Sequence, residues 1–216
     1  MSTRDEIVDL SESSEVLELL FQYMYPQRQP SLSGLQFSLL DSLANTAEKY
    51  QVYSALEICK VHMTWATQKS SRSARVDEGP IKVLLYAGRH GYQDVCDVAA
   101  PKSLGCSLQQ GQQTLNLQLF AAWMVYRDKI MPILRDVTEP TVLHRGGLPS
   151  CALWNEFYPT FIKKFIGQPD NVLRFSEFVA SSKSKLSECS WCINRIERWE
   201  VSVASHISKI KFSSSL

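Results

Sequence analysis

Residues 15–63, EVLELLFQYMYPQRQPSLSGLQFSLLDSLANTAEKYQVYSALEICKVHM, decide the fold class. Leu17, Leu20, Phe21 and Met24 recur at i, i+3, i+4 and i+7, which predicts a helix burying those four side chains. Ser11, Ser13 and Ser14 stand before it with hydroxyls suited to an N-cap, and Glu15 and Glu18 lie in the first turn, where the helix dipole favours acids. Pro26 ends the helix, because its ring disfavours the α conformation of the preceding residue. After the polar turn 27–34 the same spacing returns in Leu40, Leu43, Ala44 and Ala47, and again in Ala55, Ile58, Cys59 and His62. Two more helices are therefore expected, with His62 a packed histidine on the apolar face.

Outward from this stretch, residues 6–10 alternate apolar and acidic side chains and read as a short strand. Residues 69–79, rich in Ser and charge and without periodicity, read as a linker. The chain thus divides into segments 1–68, 69–79 and 80–216. In the last, Pro80 suits the start of a helix carrying Ile81, Leu84 and Leu85, and Gly91 suits its C-terminal cap. Residues 114–137 have a helical period around Phe120, Trp123, Met124 and Met131, with a kink expected at Pro132. Gly146, Gly147 and Pro149 break the chain before Trp154, Phe157, Tyr158 and Phe161 resume a helical face. A helix is expected over 171–179. A final long helix is expected to keep Cys189, Cys192, Ile193, Ile196, Val203, Ile207 and Ile210 on one stripe through six turns.

With 44% hydrophobic residues the chain can bury a real core. The net charge of +1, from 23 basic and 22 acidic side chains, provides no general attraction to nucleic acid or anionic lipid. No run approaches the roughly 20 apolar residues of a membrane span, and the acidic N-terminal residues do not resemble a signal peptide. The expected location is cytoplasmic or nuclear, with the cysteines reduced rather than forming a disulfide frame.

Leu19, Leu20, Tyr23, Tyr25 and Pro26 spell an LLxxxYP element, and Ala47, Lys49, Tyr50 and Cys59 an AxKYxvxxlxxC element. Residues 80–104, PIKVLLYAGRHGYQDVCDVAAPKSL, look like the helix pair VLxYAxxHGYxDxxDxAAP. On these residues the chain resembles the second half of a BTB/POZ domain of the kind common in basidiomycete fungi. The resemblance implies a mainly α fold: a BTB/POZ-like helical half with a residual short strand, then an α-helical extension. It further implies a non-catalytic protein-interaction module, an adaptor or scaffold that associates with itself or with other proteins, and in some relatives docks to a cullin of a ubiquitin ligase. A full domain opens with two paired strands and a helix, and no such pattern precedes Asp5, so the sequence is expected to be an N-terminally truncated form. Phe21, Tyr23, Tyr25, Pro26 and Gln27 are the expected partner contacts, because the helix end and turn place aromatics beside polar rims.

No nucleophile motif, phosphate loop or paired catalytic carboxylates stand out, and no cofactor is expected. His90 and Asp94, with Asp97 nearby, are read as structural: His90 near a helix C-terminus and Asp94 in the first turn of the next helix are both stabilised by dipoles. Cys189 and Cys192 form a CxxC that Cys151, His144 or Cys106 could complete as a zinc site, which makes a zinc-stabilised regulatory protein the alternative reading. Because both sulfurs fall on a continuous helical stripe, they are expected instead to pack as small hydrophobes, leaving the protein without stoichiometric metal.

Overall fold

Ser13 starts the first helix as expected: in an extended conformation, its side chain accepts from the Val16 amide, and α1 runs Ser14–Met24. The computed structural model describes residues 9–68, 79–137, 139–144, 146–166 and 168–216. The chain is mainly α-helical and forms two compact units, Met1–Arg72 and Ser73–Leu216. The predicted linker lies outside the described residues except for Gly79, which opens a helix. Residues 6–8 of the predicted strand also lie outside them; Asp9 and Leu10 have no regular structure, and no strand occurs among the described residues.

In the first unit, α1 packs with α2 (Phe37–Tyr50) and α3 (Tyr53–Gln68). Val16, Leu20 and Tyr23 of α1 meet Leu40, Leu43, Ala44 and Ala47 of α2 and Ala55, Leu56, Cys59 and Met63 of α3 in the core. The buried face of α1 is therefore rotated from the expected one: Leu17 is half-buried, and Phe21 and Met24 are exposed. Tyr23 displaces them because its ring fills the core while its hydroxyl donates to the Pro30 carbonyl, satisfying the polar tip. Likewise on α3, His62 lies off the buried stripe, its ring edge-on to Trp65 at 5.1 Å. Gln51 adopts a left-handed conformation, φ 55°, to close α2, donating to the Ala47 and Glu48 carbonyls. Lys49 pairs with Glu12, joining the end of α2 to the segment before α1.

The second unit begins with α4 (Gly79–His90) and α5 (Gln93–Ser103), antiparallel neighbours joined through Gly91 at φ 76°. A left-handed glycine is needed there to turn the Tyr92 amide back onto the Ala87 carbonyl. Ser107 and Gln110 form a reciprocal capping box for α6 (Leu108–Thr114), and Asn116 caps α7 (Leu117–Ile130). The helix expected over 114–137 is thus interrupted: Asn116 restarts it, and Pro132 divides α7 from the short α8 (Ile133–Asp136) rather than kinking one helix. Its buried face is Leu119, Ala122, Trp123, Tyr126 and Ile130, with Met131 exposed.

The rest comprises α9 (Ala152–Ile162), α10 (Pro169–Leu173), α11 (Phe175–Ser182), a 3-10 turn at Lys183–Leu186 and α12 (Ser190–Ser208). The single helix expected over 171–179 is divided at Arg174, whose conformation is not helical. Trp154, Phe157, Phe161, Phe165, Phe175 and Trp199 form one buried aromatic core, with Trp199 5.0 Å from Phe175 and 6.0 Å from Phe161. A second 3-10 turn, Phe212–Ser215, returns to α5 and α7: Phe212 packs on Tyr126, and Asp97 accepts from the Ser213 amide and hydroxyl.

Trp123 is the centre of the other end of this unit, fully buried with its indole N–H donating 2.9 Å to Ser103. A Cβ added at Gly111 would lie 2.7 Å from its ring. Helix propensity favours Ala over Gly by up to about 1 kcal/mol, but overpacking a filled core costs about 1–3 kcal/mol. Because Trp123 is held by its hydrogen bond, Gly111→Ala is expected to lower the urea midpoint; an unchanged or raised midpoint would show that the indole shifts freely. No helix among the described residues is long and apolar enough to cross a membrane.

Candidate metal centre and interaction surface

Three separate pieces of the second unit bring His144, Cys151, Cys189 and Cys192 together. His144 is carried by the loop between α8 and α9, which folds back so that its amide donates to the Leu148 carbonyl at 2.8 Å and its carbonyl accepts from Gly147 at 2.9 Å. Gly146 and Gly147, at φ 87° and 76°, supply conformations this tight turn requires. Cys151 is the N-cap of α9, Cys189 the N-cap of α12, and Cys192 stands in the first turn of α12.

One ligating atom from each of the four lies within 4.8 Å of the others. His144 Nε2 is 3.3 Å from Cys192 Sγ, and the Cys151 and Cys192 sulfurs are 3.4 Å apart. His144 is only 7% exposed and Cys192 is fully buried, whereas Cys151 and Cys189 are half-buried. His144 Nδ1 has no hydrogen-bond partner among the described residues.

Burial would raise the Cys151 thiol, but the Trp154 amide at the start of α9, followed by the neighbouring sulfurs, holds it below its ordinary value. Cys192 is pushed the other way, by burial first and then by the two adjacent thiols. The three sulfurs thus do not share one environment.

Arg195, one turn beyond Cys192 on α12, holds the loop in place. Its guanidinium donates to the Pro149 carbonyl and to Glu139, each at 2.9 Å, and stacks over the Trp154 ring at 4.5 Å. Burial raises the Glu139 carboxyl more than the Arg195 charge lowers it.

The expectation that both CxxC sulfurs lie inside one helix is corrected. Cys189 has φ −136° and ψ 105°, so α12 begins after it. The i, i+3 spacing puts an N-cap residue and a first-turn residue on the same side just as it does two interior positions, so periodicity alone does not separate the two cases. Of the five zinc candidates in the alternative reading, four converge; Cys106 does not, and lies buried just beyond α5 where Arg127 reaches its carbonyl. His90 ends α4 and Asp94 opens α5, and neither belongs to the cluster.

The predicted partner contacts are in the first unit. Phe21, Tyr25, Pro26 and Gln27 are exposed, Tyr25 at 67%. Tyr23 is not: it is 6% exposed and belongs to the core, for the reason given above. Two residues absent from the prediction extend the surface, Met24 and Tyr53, the latter 70% exposed. Tyr53 is brought to the exit of α1 because the adjacent Ser54 hydroxyl donates 3.0 Å to the Tyr23 carbonyl. Comparison with family models, curated proteins and solved structures produced no match.

Proposed function

We propose that this chain is a non-catalytic protein-interaction module of the BTB/POZ type, an adaptor or scaffold acting in the cytoplasm or nucleus. The supporting observation is the exposure of Phe21, Met24 and Tyr25 at the exit of α1, together with exposed Tyr53 of α3, whose neighbour Ser54 donates to the Tyr23 carbonyl. Aromatic anchors rimmed by polar residues such as Gln22 and Gln27 are what an interface core requires. The sequence resemblance suggests a cullin as the partner class, with self-association as the other mode.

Titration of the full chain against a purified cullin N-terminal region, with light scattering of the chain alone, tests the reading. Phe21→Ala with Tyr25→Ala is expected to weaken association at least tenfold, each tenfold being about 1.4 kcal/mol, while circular dichroism stays unchanged because both side chains are exposed. Tyr23→Ala is expected instead to lower stability, as loss of a buried ring does. Neither cullin binding nor self-association, or association indifferent to Phe21 and Tyr25, would sink the proposal. The alternative, a zinc-stabilised regulatory protein, is favoured by the convergence of His144 with Cys151, Cys189 and Cys192 in the second unit.

A further inference from the structure

We infer that His144, Cys151, Cys189 and Cys192 hold a structural zinc ion that fastens the loop between α8 and α9 to the start of α12. The donor set is three sulfurs and one imidazole, the Cys3His combination that soft, tetrahedral zinc sites use. Zinc–sulfur bonds of about 2.3 Å in a tetrahedron place ligand atoms about 3.8 Å apart, and the four atoms already lie within 4.8 Å, two pairs of them at 3.3 and 3.4 Å. Small side-chain adjustments therefore suffice to close the site.

Packing does not explain the cluster. Cys59, Cys96 and Cys106 behave as small hydrophobes: each is almost wholly buried and stands apart from the four-residue cluster. The other three cysteines meet around one imidazole, and two of them are partly exposed, which burial of a hydrophobe would not produce. The His144 imidazole is buried with Nε2 3.3 Å from the Cys192 sulfur, so the nitrogen that faces the sulfurs is placed to ligate an ion held among them.

Three thiolates and a divalent ion leave one net negative charge. Cys151 and Cys189 lie at the N-terminal ends of α9 and α12, where backbone N–H groups and helix dipoles favour negative charge. With four protein ligands the site has no open position, so its role is structural, in contrast to a catalytic zinc with three. The ligands come from positions 38–48 residues apart across the two halves of the site, as from Cys151 to Cys189 and from His144 to Cys192, so metal binding closes a long loop.

The test is elemental analysis of full-length protein purified with its thiols reduced and without added chelator. About one zinc per chain is expected, falling at least tenfold in Cys189→Ser with Cys192→Ser, and unchanged in Cys96→Ala. Replacement by cobalt covers the case in which the double variant does not fold. The wild-type chain should show the visible absorption of tetrahedral cobalt with thiolate charge-transfer bands, and His144→Cys should keep the metal while shifting those bands. A reduced wild-type chain without zinc that gives no tetrahedral cobalt spectrum would overturn the inference. So would a Cys151–Cys192 disulfide trapped by alkylation in freshly lysed cells, or zinc retained in the double cysteine variant.

Discussion

Replacing Arg195 by Met is expected to destabilise the second unit by about 3–5 kcal/mol, the usual cost of leaving one partner of a buried ion pair unmatched. The side chains of Arg195 and Glu139 are only 8% and 21% exposed. The substitution would strand the Glu139 carboxylate, free the Pro149 carbonyl and remove the cation stacked on Trp154. Arg195→Lys should recover little, since an ammonium does not reproduce the planar fork that reaches both oxygens. Adding Glu139→Gln to Arg195→Met should restore much of the loss, because no charge then remains buried.

The pH dependence has a definite sign. The folded-state pKa of Glu139 is raised above its ordinary value, burial outweighing Arg195. Between the ordinary and the raised value the folded state binds more protons than the unfolded, so this group's contribution to stability is lost as pH rises through that window. Removing Arg195 takes away the charge that lowers the pKa and extends the window upward. The defect of Arg195→Met should therefore shrink as pH falls toward about 4.3, the ordinary glutamate value. Urea melts of the variants across pH check this; a loss under 0.5 kcal/mol, or one independent of pH, would show that the pair contributes little.

Trp199→Ala is expected to cost a similar amount, about 3–5 kcal/mol, as for other large aromatic truncations in cores. Trp199 is 1% exposed, contacts Phe161, Phe175 and Tyr158, and donates its indole N–H 2.8 Å to the Val137 carbonyl beyond α8. Trp199→Phe separates the two contributions. It keeps a ring in the core and forfeits the hydrogen bond, so it should lose about 1–3 kcal/mol, the range for an unsatisfied buried acceptor. Equal losses for Ala and Phe would mean that the hydrogen bond, rather than the packing, dominates.

Much of the helical architecture was legible because its signals are local. Ser13 before an apolar run, Pro26 after it and Gly91 between two helices each act through the backbone of neighbouring residues, and each does so as read. Orientation was less legible. Tyr23 lost to Phe21 and Met24 in a reading by hydrophobicity, since nothing local showed that the Pro30 carbonyl would satisfy its hydroxyl. The sulfur cluster was half visible: its residues could be named, but their meeting depends on a loop closing back over α12. That closure is enforced by Arg195, which periodicity records only as one more helical position.

The placement of the tryptophans makes the molecule report on its own parts. Trp123, Trp154 and Trp199 are at most 2% exposed and all lie in the second unit, so their emission follows the integrity of its two cores. Trp65 and Trp191 are about half exposed, at 49% and 46%, and are open to a collisional quencher in the native state. Trp65 belongs to the first unit, and Trp191 stands between Cys189 and Cys192. Fluorescence recorded with only one of these two indoles retained on the surface therefore reads either the first unit or the immediate neighbourhood of the sulfur cluster, with no label introduced into either.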